Sequence, residues 1–380
     1  MSNYFNHHQK PLSDALYRMA DEYLFVATGE MREERKQLGY HQPDAPYVVK
    51  TTADSVSPAV RKAIDDADAV IIGSAPEELI RGRLKDKKLT FRYSERLFKQ
   101  KISAAKRLCW MARWRKNNPQ NSELYLLCAS AYSAADFAEF GLFRGKAFRW
   151  GYFPETKRYD DVDALFDKKE STRLLWVGRF LEWKHPELAV KAVGRLIEKG
   201  FDITLDMIGS GGLEQQLRVM IRENHLENRI RLLGSLPYED VREHMEHAAI
   251  LLFTSNRQEG WGAVLNEAMN SGCAAVVSHS IGSAPFLIKN GVNGCVFEES
   301  NIEMLCDRLE VLLTHDDERR QIGVNAYHTI VDMWNAENAA KRLIGLITSL
   351  KEGRGSEKLF EDGPCSRAKL LKDSWKEWYE

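Results

Sequence analysis

Two glutamates separated by seven residues form a pair of groups that could do chemistry. The stretch "RQEGWGAVLNE" places Glu259 and Glu267 around two glycines, directly after the apolar run "AAILLFTS". The helix predicted to begin after Gly262 offers unpaired backbone amides, which bind phosphate groups. Carboxylates only accept hydrogen bonds and suit the paired hydroxyls of sugars. The pattern therefore predicts a site for phosphate flanked by two polyols.

A simpler interpretation gives Glu267 a local role, because an acidic residue near the start of a helix stabilises the helix dipole. That interpretation leaves Glu259 and the neighbouring glycines without a role. We therefore expect the amides of Gly262, Ala263 and Val264 to hold a phosphate group between the two carboxylates.

A pair of basic residues follows an earlier apolar run, "RLLWV". Arg179 and Lys184 come after Gly178 in "GRFLEWK", just before Pro186 opens a helical segment. An anion at that helix start would meet a guanidinium, an ammonium and the positive end of the helix dipole. Two isolated loop cations would ordinarily be solvated, but their position after a predicted strand favours a binding role.

A third motif, "MIGSGGLEQQL", carries glycines where a strand passes into a helix. Gly209 begins this turn, and a residue without a side chain lets the backbone approach a ligand closely. Any tight connection between a strand and a helix also uses glycine, and the spacing differs from GxGxxG. Gly209 is therefore a candidate only in combination with the other motifs.

Length and composition predict two domains of a cytoplasmic protein. The chain has 380 residues, which exceeds the ~100–200 residues of a typical domain. Its 44% hydrophobic and 29% charged residues are ordinary for a soluble globular protein. The six cysteines form no CxxC pair, which disfavours a metal site or a disulfide framework and fits a reducing compartment. We find no signal-peptide pattern and no apolar run of the ~20 residues that cross a bilayer.

Short apolar runs alternate with amphipathic helical stretches along the whole chain. Continuous apolar strands separated by helices are typical of parallel sheets covered on both faces. We predict an α/β fold with two Rossmann-like, doubly wound parallel-sheet domains that face each other across a cleft. The predicted strands lie at 23–28, 47–52, 69–74, 89–94 and 124–130, and then at 173–178, 202–209, 230–235, 250–255 and 274–279.

The domain boundaries are predicted from changes in composition. The polar segment 154–172 is the predicted linker between a first domain at 1–153 and a second domain at 173–350. A glycine-containing break, "KEGRGSEK", then begins the segment 351–380. We expect this last segment to end in an amphipathic helix that packs back on the first domain.

Several segments together resemble one enzyme family. "VGRFLEWKHPELAVKAV", "MIGSGGLEQQL", "RIRLLGSLPYEDVREHM" and "RQEGWGAVLNEAMNSG" are similar to motifs of the retaining, nucleotide-sugar-dependent glycosyltransferases of group 1, family 4 type. The resemblance extends from about Arg173 to Leu346 and implies the GT-B fold. In the first domain it is limited to "YLLCASAYSAADFAEFG" and "KAFRWGYF".

The resemblance implies a role for each of the residues introduced above. Arg179 and Lys184 would hold the donor diphosphate in place of a metal ion, so no metal or cofactor is expected beyond the nucleoside-diphosphate sugar. Glu259 would contact the transferred sugar, and Glu267 would bind the ribose. The other residues assigned to the donor site are Gly178, Gly209, Gly262, Ala263 and Val264.

The first domain departs from the family pattern at its first turn. Many relatives have a Gly-Gly turn there, whereas this chain reads "NYFNHHQKPLSD". Relatives often carry a histidine in the first-domain cleft, which makes His8 a catalytic candidate. A structural hydrogen bond is the competing interpretation of this histidine. Glu95, in "RYSER" after a later strand, is the second candidate on the acceptor side.

The segment 81–116 is strongly basic. Its 14 Lys and Arg against two acidic residues give a charge of +12, so the remainder of a chain with net charge −1 carries −13. We predict one helix over 96–116, and each basic group near an anionic membrane contributes about 1 kcal/mol to docking. A solvated helix that covers its own core is the alternative, and nucleic acid is not expected because no recognition module is present. The residues expected to face the membrane or the acceptor are Lys99, Lys106, Trp110 and Arg113.

The predicted function is transfer of a sugar from a nucleoside-diphosphate sugar to an acceptor hydroxyl with retained anomeric configuration. By family analogy, the expected acceptor is a carbohydrate or lipid-linked molecule of bacterial cell-surface polysaccharide or glycolipid synthesis, reached at the inner face of the cell membrane. Two alternatives stay open. One is a non-catalytic GT-B protein that binds a nucleotide sugar, and the other is a phosphorylase or epimerase of the same fold.

Overall fold

Two units, each built around parallel strands, make up the chain in the computed structural model. The structure describes residues 1–31, 43–52, 56–100, 102–354 and 359–375. The first unit comprises Met1–Glu155 with Asn335–Lys372, and the second comprises Thr156–Trp334 with Asp373–Glu380. The mixed α/β class and the parallel sheets predicted from the sequence are confirmed.

The first unit contains short, apolar parallel strands. In one sheet β3 (Val70–Ile72), β4 (Thr90–Ser94), β5 (Leu124–Cys128) and β6 (Ala147–Arg149) are neighbours in that order. In another, β1 (Phe25–Ala27) pairs with β2 (Val48–Lys50). Most residues of these strands are buried, as expected for a sheet covered on both faces.

The first residues of the chain lie between these two groups of strands. On one side, the Ser2 N–H donates to Val26 O at 3.1 Å. On the other side, the Met1 amine donates to Ile71 O at 2.7 Å, and the Gly73 N–H donates to Met1 O at 2.9 Å. The hydrogen bonds therefore run from β1 through Met1 and Ser2 to β3, and the turn that follows lies at the carboxyl edge of these strands.

The helices of the first unit come from both ends of the chain. The last of them packs against the first, and Arg18 pairs with Glu337 between the two. The described helices are α1 (Lys10–Met19), α2 (Pro58–Asp66), α3 (Arg81–Lys85), α4 (Ala104–Asn117), α5 (Ser133–Glu139) and α14 (Ala336–Lys351).

The second unit has one parallel sheet whose strand order reverses in the middle. The strands are β7 (Glu170–Val177), β8 (Thr204–Ile208), β9 (Ile230–Gly234), β10 (Ala248–Phe253), β11 (Ala274–Ser278) and β12 (Cys295–Phe297). Among the described residues their order is β12-β11-β10-β7-β8-β9. The chain therefore moves outward from β7 to β9, returns to the other side of β7 with β10, and then moves outward in the opposite direction.

Amphipathic helices cover the sheet of the second unit. In the helix that follows β7, Ala189, Val193 and Leu196 are buried at helical spacing. Full burial of a side chain such as leucine contributes roughly 1.5–3 kcal/mol. The helices are α6 (Val162–Asp167), α7 (Pro186–Glu198), α8 (Glu214–Glu223), α9 (Tyr238–His247), α10 (Ala263–Asn270), α11 (Ala284–Leu287), α12 (Ile302–Thr314) and α13 (Asp316–His328).

The unit boundaries differ from the predicted domain boundaries at two places. The predicted linker 154–172 is largely part of the second unit, because it contains α6 and the start of β7. Its Lys157 N–H donates to Asn270 Oδ1 at 2.8 Å, and Asn270 Nδ2 donates back to Lys157 O at 2.9 Å. The predicted end of the second domain at residue 350 moves to Trp334, because α14 belongs to the first unit.

The helix predicted at the end of the chain lies largely outside the described residues, which end at 375. Residues 359–372 form no helix in the structure. Instead, the Cys365 N–H donates to Arg149 O, and the Arg149 N–H donates to Ser366 O, both at 2.8 Å. The segment thus supplies the hydrogen bonds that the edge strand β6 would otherwise lack. Residues 376–380 lie outside the described range.

The basic helix predicted over 96–116 begins later, at Ala104. Ser103 Oγ accepts the Lys106 N–H at 3.3 Å and caps the helix start. The loop upstream is held by Asp136, whose carboxylate accepts two of its backbone N–H groups at 2.8 and 3.0 Å. These hydrogen bonds keep the upstream residues out of the helix, and no residue of α4 is buried.

Candidate functional site

The candidate site lies at the carboxyl edge of the sheet in the second unit. β7 and β10 are neighbours at the point where the strand order reverses. In doubly wound sheets, ligands bind in the crevice at this point. Arg179 and Lys184 follow β7, while Glu259 and Gly262 follow β10. Two neighbouring strands therefore carry four of the predicted residues to the same edge.

The loop after β7 rests on the loop after β8. The Gly178 N–H donates to Ile208 O, and the Phe180 N–H donates to Ser210 O, both at 2.9 Å. Gly209 has a φ of +133°, and a Cβ atom there would lie 1.9 Å from Gly178 O. Contact between two protein loops therefore requires the glycine at 209. The ligand approach predicted for this position is not needed to explain its residue type.

Lys184 is positioned by hydrogen bonds between its own loop and the end of β10. Thr254 Oγ1 lies 2.8 Å from Lys184 O and 2.9 Å from His185 O. The indole of Trp176, on β7, donates to the same Thr254 oxygen at 3.0 Å. The loop after β7 is thereby fixed against the neighbouring strand, which directs the lysine toward the residues that follow β10.

Lys184 and Glu259 form an ion pair. Lys184 Nζ lies 2.6 Å from Glu259 Oε2, and Ser255 Oγ donates to the same oxygen at 3.1 Å. The two side chains are only 12% and 11% exposed, so their attraction is less screened by water than that of a surface pair. The structure thus brings into contact two residues that separate sequence motifs had each indicated for this site.

Arg179 lies outside this pair. The residue is exposed at the end of β7, and its guanidinium has no hydrogen bond or ion pair within the described part of the chain. Its five N–H donors are therefore open to water or to a ligand. The structure places Arg179 at the predicted edge without bringing it into contact with Lys184 or Glu259.

The helix start predicted around Gly262 is present. α10 begins at Ala263, and Gly262 has a φ of +88°, a left-handed conformation that favours glycine. A Cβ at this glycine would also lie 2.5 Å from the ring of Phe253. Within the described ranges, the amides of Gly262, Ala263 and Val264 donate no hydrogen bond. They form the anion-binding geometry of a helix N-terminus.

Glu267 lies one turn inside α10, on the same face as Ala263. Its side chain is buried, and burial raises the pKa of the Glu267 carboxyl to about 7. The guanidinium of Arg242 opposes this shift by favouring the ionised form. Arg242 Nη1 is itself held by Glu267 O, on the backbone, at 3.0 Å. The carboxyl is therefore poised to change its charge near neutral pH.

The structure adds three residues that the sequence motifs did not indicate. His185, the residue before α7, has a left-handed φ of +49°. Its hydrogen bond to Glu187 raises the pKa of the imidazole. After β11, the Ser283 N–H donates to Trp261 O at 3.3 Å. The buried hydroxyls of Ser278 and Ser283 have no hydrogen-bond partner among the described residues. The position of these serines at or after the end of β11, a strand of the same sheet, was the one sequence signal that could have indicated them.

In the first unit, His8 lies in the turn between Ser2 and α1. The His8 N–H donates to Asn6 Oδ1 at 3.0 Å, and the ring centroids of His7 and His8 are 4.0 Å apart. Glu95, at the carboxyl end of β4, accepts a hydrogen bond from the hydroxyl of Tyr152 at 2.6 Å. Both acceptor-side candidates therefore follow strands of the first unit at their carboxyl ends.

The four residues predicted to face a membrane do not share one helix. Lys99 precedes α4 and pairs with Glu95. Lys106, Trp110 and Arg113 are on α4 at helical spacing, with Lys106 Nζ 5.6 Å from the centre of the Trp110 ring. Lys99 thus lies outside α4 with its charge matched by a carboxylate, and the membrane-facing role of the four residues stays a prediction.

Two further features concern the described ranges as a whole. None of their helices combines the length and apolar character needed to cross a membrane. Their His, Cys, Asp and Glu side chains include no group of three or more arranged to hold a metal ion. The cysteines are all free thiols.

Comparison with known proteins matches the second unit to one family. Residues 159–329 match the model of the group 1 glycosyl transferases. The amylovoran biosynthesis glycosyltransferase AmsK of Erwinia amylovora is 32% identical over 162 residues, which are 41% of this chain and 39% of that protein. The D-inositol 3-phosphate glycosyltransferase of Corynebacterium diphtheriae is 30% identical over 178 residues, 45% of this chain and 40% of that protein. The chain therefore spans well under half the length of these curated relatives.

Solved structures share the fold over most of the chain. Anabaena Alr3699/HepE, solved in complex with UDP, has a TM-score of 0.68 at 15% identity and covers 90% of this chain and 96% of its own. A glycosyltransferase of Rickettsia africae has a TM-score of 0.65 at 14% identity, with 91% and 95% covered. These neighbours are GT-B glycosyltransferases, so the predicted fold is confirmed. The family match and the curated relatives support the group 1 glycosyltransferase family predicted from the motifs.

Proposed function

We propose that this chain is a glycosyltransferase of the family 4 type, which transfers a sugar from a nucleoside-diphosphate sugar to an acceptor hydroxyl with retention of anomeric configuration. One observation carries the proposal. The pair formed by Lys184 and Glu259 lies at the same sheet edge as the start of α10, with Glu267 one turn inside that helix. This arrangement suits a diphosphate between two polyols.

We propose that three kinds of hydrogen-bond donor hold the diphosphate. Arg179 contributes a guanidinium whose N–H groups are open, and Lys184 contributes an ammonium with three N–H groups. The amides at the start of α10 contribute backbone donors and the positive end of the helix dipole. Because Lys184 and the amides of α10 are held in place before the ligand arrives, they need little reorganisation to hold two phosphate charges.

The two carboxylates are proposed to bind the sugars at either end of the donor. Glu259 accepts hydrogen bonds from hydroxyls of the transferred sugar, next to the lysine that holds the diphosphate. Glu267 accepts hydrogen bonds from the ribose. The unpartnered hydroxyl of Ser283, beside the loop that carries Glu259, is a further candidate contact to the donor.

Charge stabilisation is the proposed source of catalysis. As the bond between the anomeric carbon and the diphosphate breaks, negative charge grows on the leaving phosphate. Arg179, Lys184 and the amides of α10 stabilise that charge, so no metal ion is required. The acceptor oxygen forms the new bond to the anomeric carbon and loses its proton to a base, for which His8 is the candidate in the first unit.

The proposed acceptor is a carbohydrate or lipid-linked molecule of bacterial cell-surface polysaccharide or glycolipid synthesis. Similar proteins include the amylovoran enzyme described above and a poly(glycerol-phosphate) α-glucosyltransferase of Bacillus subtilis, 26% identical over 208 residues. The exposed basic face of α4, with Lys106, Trp110 and Arg113, is proposed to dock the enzyme on an anionic membrane surface.

Turnover of purified protein with UDP-, GDP- and ADP-sugars tests the enzyme proposal. We expect Arg179→Ala and Lys184→Ala each to lower kcat/KM by about a hundredfold or more, the size of effect seen when one preorganised donor is removed. Lys191→Ala, an exposed lysine on α7, is the matched control and should retain activity. A chelator should leave turnover unchanged.

Two results would contradict the proposal. Near-normal turnover in both the Arg179 and Lys184 variants would remove the diphosphate role. Binding of a nucleotide sugar with neither hydrolysis nor transfer, across a range of acceptor saccharides, would favour the non-catalytic binding protein.

A further inference from the structure

Five of the 14 cationic residues in the segment 81–116 form ion pairs inside the first unit. Arg92 makes a bidentate ion pair with Glu77 at 3.0 and 2.7 Å, and Arg107 pairs with Glu139. The same holds for Arg81 with Glu78, Arg96 with Asp136, and Lys99 with Glu95. The segment therefore does not form a uniformly basic surface. The cations without an ion pair are the candidates for binding an anionic ligand.

Three of the unmatched cations surround one cavity. Lys85, Lys87 and Lys116 are exposed and have no ion pair within the described residues. Together with Arg81 they line a cavity of about 430 Å³, which we call the basic cavity. This volume lies within the ~300–1,000 Å³ of small-molecule sites. Four cationic side chains thus converge on a space large enough for a ligand of one or two sugar rings.

The acidic residue that lines the basic cavity does not neutralise it. The carboxylate of Glu77 is held by both terminal nitrogens of Arg92, which is itself buried. Arg92 Nε also donates to Asn118 Oδ1. Because this carboxylate is already matched by a buried guanidinium, the three lysines keep an uncompensated positive potential in the cavity.

Hydrogen bonds from a buried arginine hold the backbone around the basic cavity. Arg83 is almost completely buried and donates to Ile64 O, Ala67 O and Leu89 O at 2.7, 2.8 and 2.7 Å. These bonds fix both ends of the turn that carries Lys87, which has a left-handed φ of +53°. A cationic side chain on a fixed turn loses less freedom on binding a ligand than one on a mobile loop.

The helix dipole explains the positions of single lysines but not why the three lysines meet. Lys85 and Lys116 lie in the last turns of α3 and α4, where a cation stabilises the helix. Lys87 lies outside both helices. The dipole effect therefore leaves unexplained why the three side chains meet at one cavity, where like charges repel unless an anion separates them.

The basic cavity is distinct from the edge that carries the acceptor-side candidates. Lys87 precedes β4 by a short turn, and Asn121 precedes β5 in the same way, so the cavity lies at the amino ends of these strands. His8 and Glu95 follow strands at their carboxyl ends. In a parallel sheet these are opposite edges, and the cavity is therefore not part of that candidate site.

The remaining lining indicates the class of ligand. Asn117 and Asn121 supply amides that donate to and accept from hydroxyls, while Leu84 and Pro119 supply apolar surface. Among the described residues, no aromatic side chain lines the cavity, which argues against stacked nucleic-acid bases. A concave lining of cations, amides and a small apolar area suits a sugar that carries negative charge.

We propose that the basic cavity of the first unit, formed where Lys85, Lys87 and Lys116 converge, binds an anionic saccharide that carries phosphate or carboxylate groups. The lysines hold the charged groups, and the asparagines hold the hydroxyls. The ligand has two conceivable sources, a free sugar phosphate or an acidic polysaccharide chain. The site does not depend on the donor site proposed above.

Calorimetric titration of the full chain tests this proposal with three probes: inorganic phosphate, fructose 1,6-bisphosphate and a polygalacturonate oligomer. We expect at least one saccharide probe to bind more tightly than phosphate, and to bind more weakly when salt rises from about 20 to about 200 mM. The combined variant Lys85→Ala, Lys87→Ala, Lys116→Ala should lower that affinity about tenfold or more. Preference for the bisphosphate indicates the free metabolite, and preference for the oligomer indicates the polymer.

A matched control separates this cavity from general charge effects. The combined variant Lys50→Ala, Lys62→Ala, Lys341→Ala removes the same charge from exposed positions of the same unit and should bind as the wild type does. Lys184→Ala should also retain saccharide binding, so failure of the donor site and failure of the cavity are distinguishable. Equal losses in the cavity and control variants, or saccharides that bind no better than phosphate, would overturn the proposal.

Discussion

The ion pair between Lys184 and Glu259 makes two side chains of the site depend on each other. Each is largely shielded from water, so either would bear an unmatched charge if its partner were removed. The ammonium has three N–H donors, so it can keep Glu259 and still donate to a phosphate. We infer that the pair holds the carboxylate in place for the transferred sugar while the lysine meets the diphosphate.

Glu267 predicts a pH dependence of donor binding. Burial raises the pKa of this carboxyl to about 7, and ribose hydroxyls that donate to it favour the ionised form. Affinity for a nucleotide sugar should therefore rise from about pH 6 and level off above about pH 7 to 8. Nucleotide sugars suit this test because each of their phosphates carries two substituents, one ester and the shared anhydride, and so lacks the second proton of a phosphate monoester, which titrates near about pH 6.

Measuring donor affinity against pH in two variants tests whether the Glu267 carboxyl causes the pH dependence. Glu267→Gln should bind the donor with little pH dependence over that range, because the amide does not titrate. Glu223→Gln changes an exposed glutamate at the end of α8 and should keep the wild-type profile. An unchanged slope in Glu267→Gln would contradict the assignment of the pH dependence to Glu267.

Adding one methyl group at Gly262 is predicted to lower the free energy of unfolding. Alanine at this position meets both a left-handed conformation and the ring of Phe253 at 2.5 Å. Gly291→Ala is the matched control, since Gly291 has a φ of +75° but nothing within 4 Å of its added Cβ. We expect Gly262→Ala to lose about 1–3 kcal/mol more stability in urea unfolding than Gly291→Ala does. Equal losses would show that the Phe253 ring gives way freely.

At the scale of residues, the sequence indicated which residues lie at one sheet edge but not the contacts between them. Glu259, Lys184 and the glycines at the helix start could be predicted because their residue types and spacing are restricted. The pairing of Lys184 with Glu259 and the unpartnered Ser283 hydroxyl could not, because they depend on loops from different strands meeting in space. Gly209 illustrates the reverse case, since its glycine is explained by Gly178 O rather than by a ligand.

At the scale of elements, long apolar runs were predictable and short ones were not. The ten predicted strands lie within a few residues of β1 to β5 and β7 to β11. The strands β6 and β12 were missed because each stands in a short apolar run without a clear period, whereas the equally short β1 to β3 lie within predicted runs of six residues. The start of α4 was misplaced because Ser103 caps the helix and Asp136 holds the loop before it.

The element α4 carries the proposed membrane contact. Its Leu108 is 61% exposed, and Lys106 and Arg113 project from a helix with no buried residue. Reversing both charges, in Lys106→Glu with Arg113→Glu, should lower binding to liposomes of anionic lipid at least tenfold at low salt, because each basic group near the surface contributes about 1 kcal/mol.

Lipid cosedimentation measures this effect against a matched variant. Lys62→Glu with Lys341→Glu reverses two exposed charges elsewhere on the first unit and should reduce binding much less. If the α4 variant and the control bind liposomes equally, α4 is not the docking element.

At the scale of the whole molecule, the two units were predicted better than their boundaries. Alternating strands and helices establish the α/β class, because parallel strands need helical crossovers. The chain's return to the first unit with α14 could not be predicted from composition, because α14 is an amphipathic helix like those before it. The family model likewise matches residues 159–329, within the second unit.

The central claim is that the edge at β7 and β10 binds a nucleoside-diphosphate sugar, and a thermal-shift titration with UDP-, GDP- and ADP-sugars tests it most directly. A ligand at about 100 times its Kd stabilises the folded state by ~2.7 kcal/mol, so at least one donor should raise the Tm of the wild type by a few degrees. That shift should be largely lost in Lys184→Ala and kept in Lys191→Ala. No shift with any donor, or an equal shift in Lys184→Ala, would contradict the account.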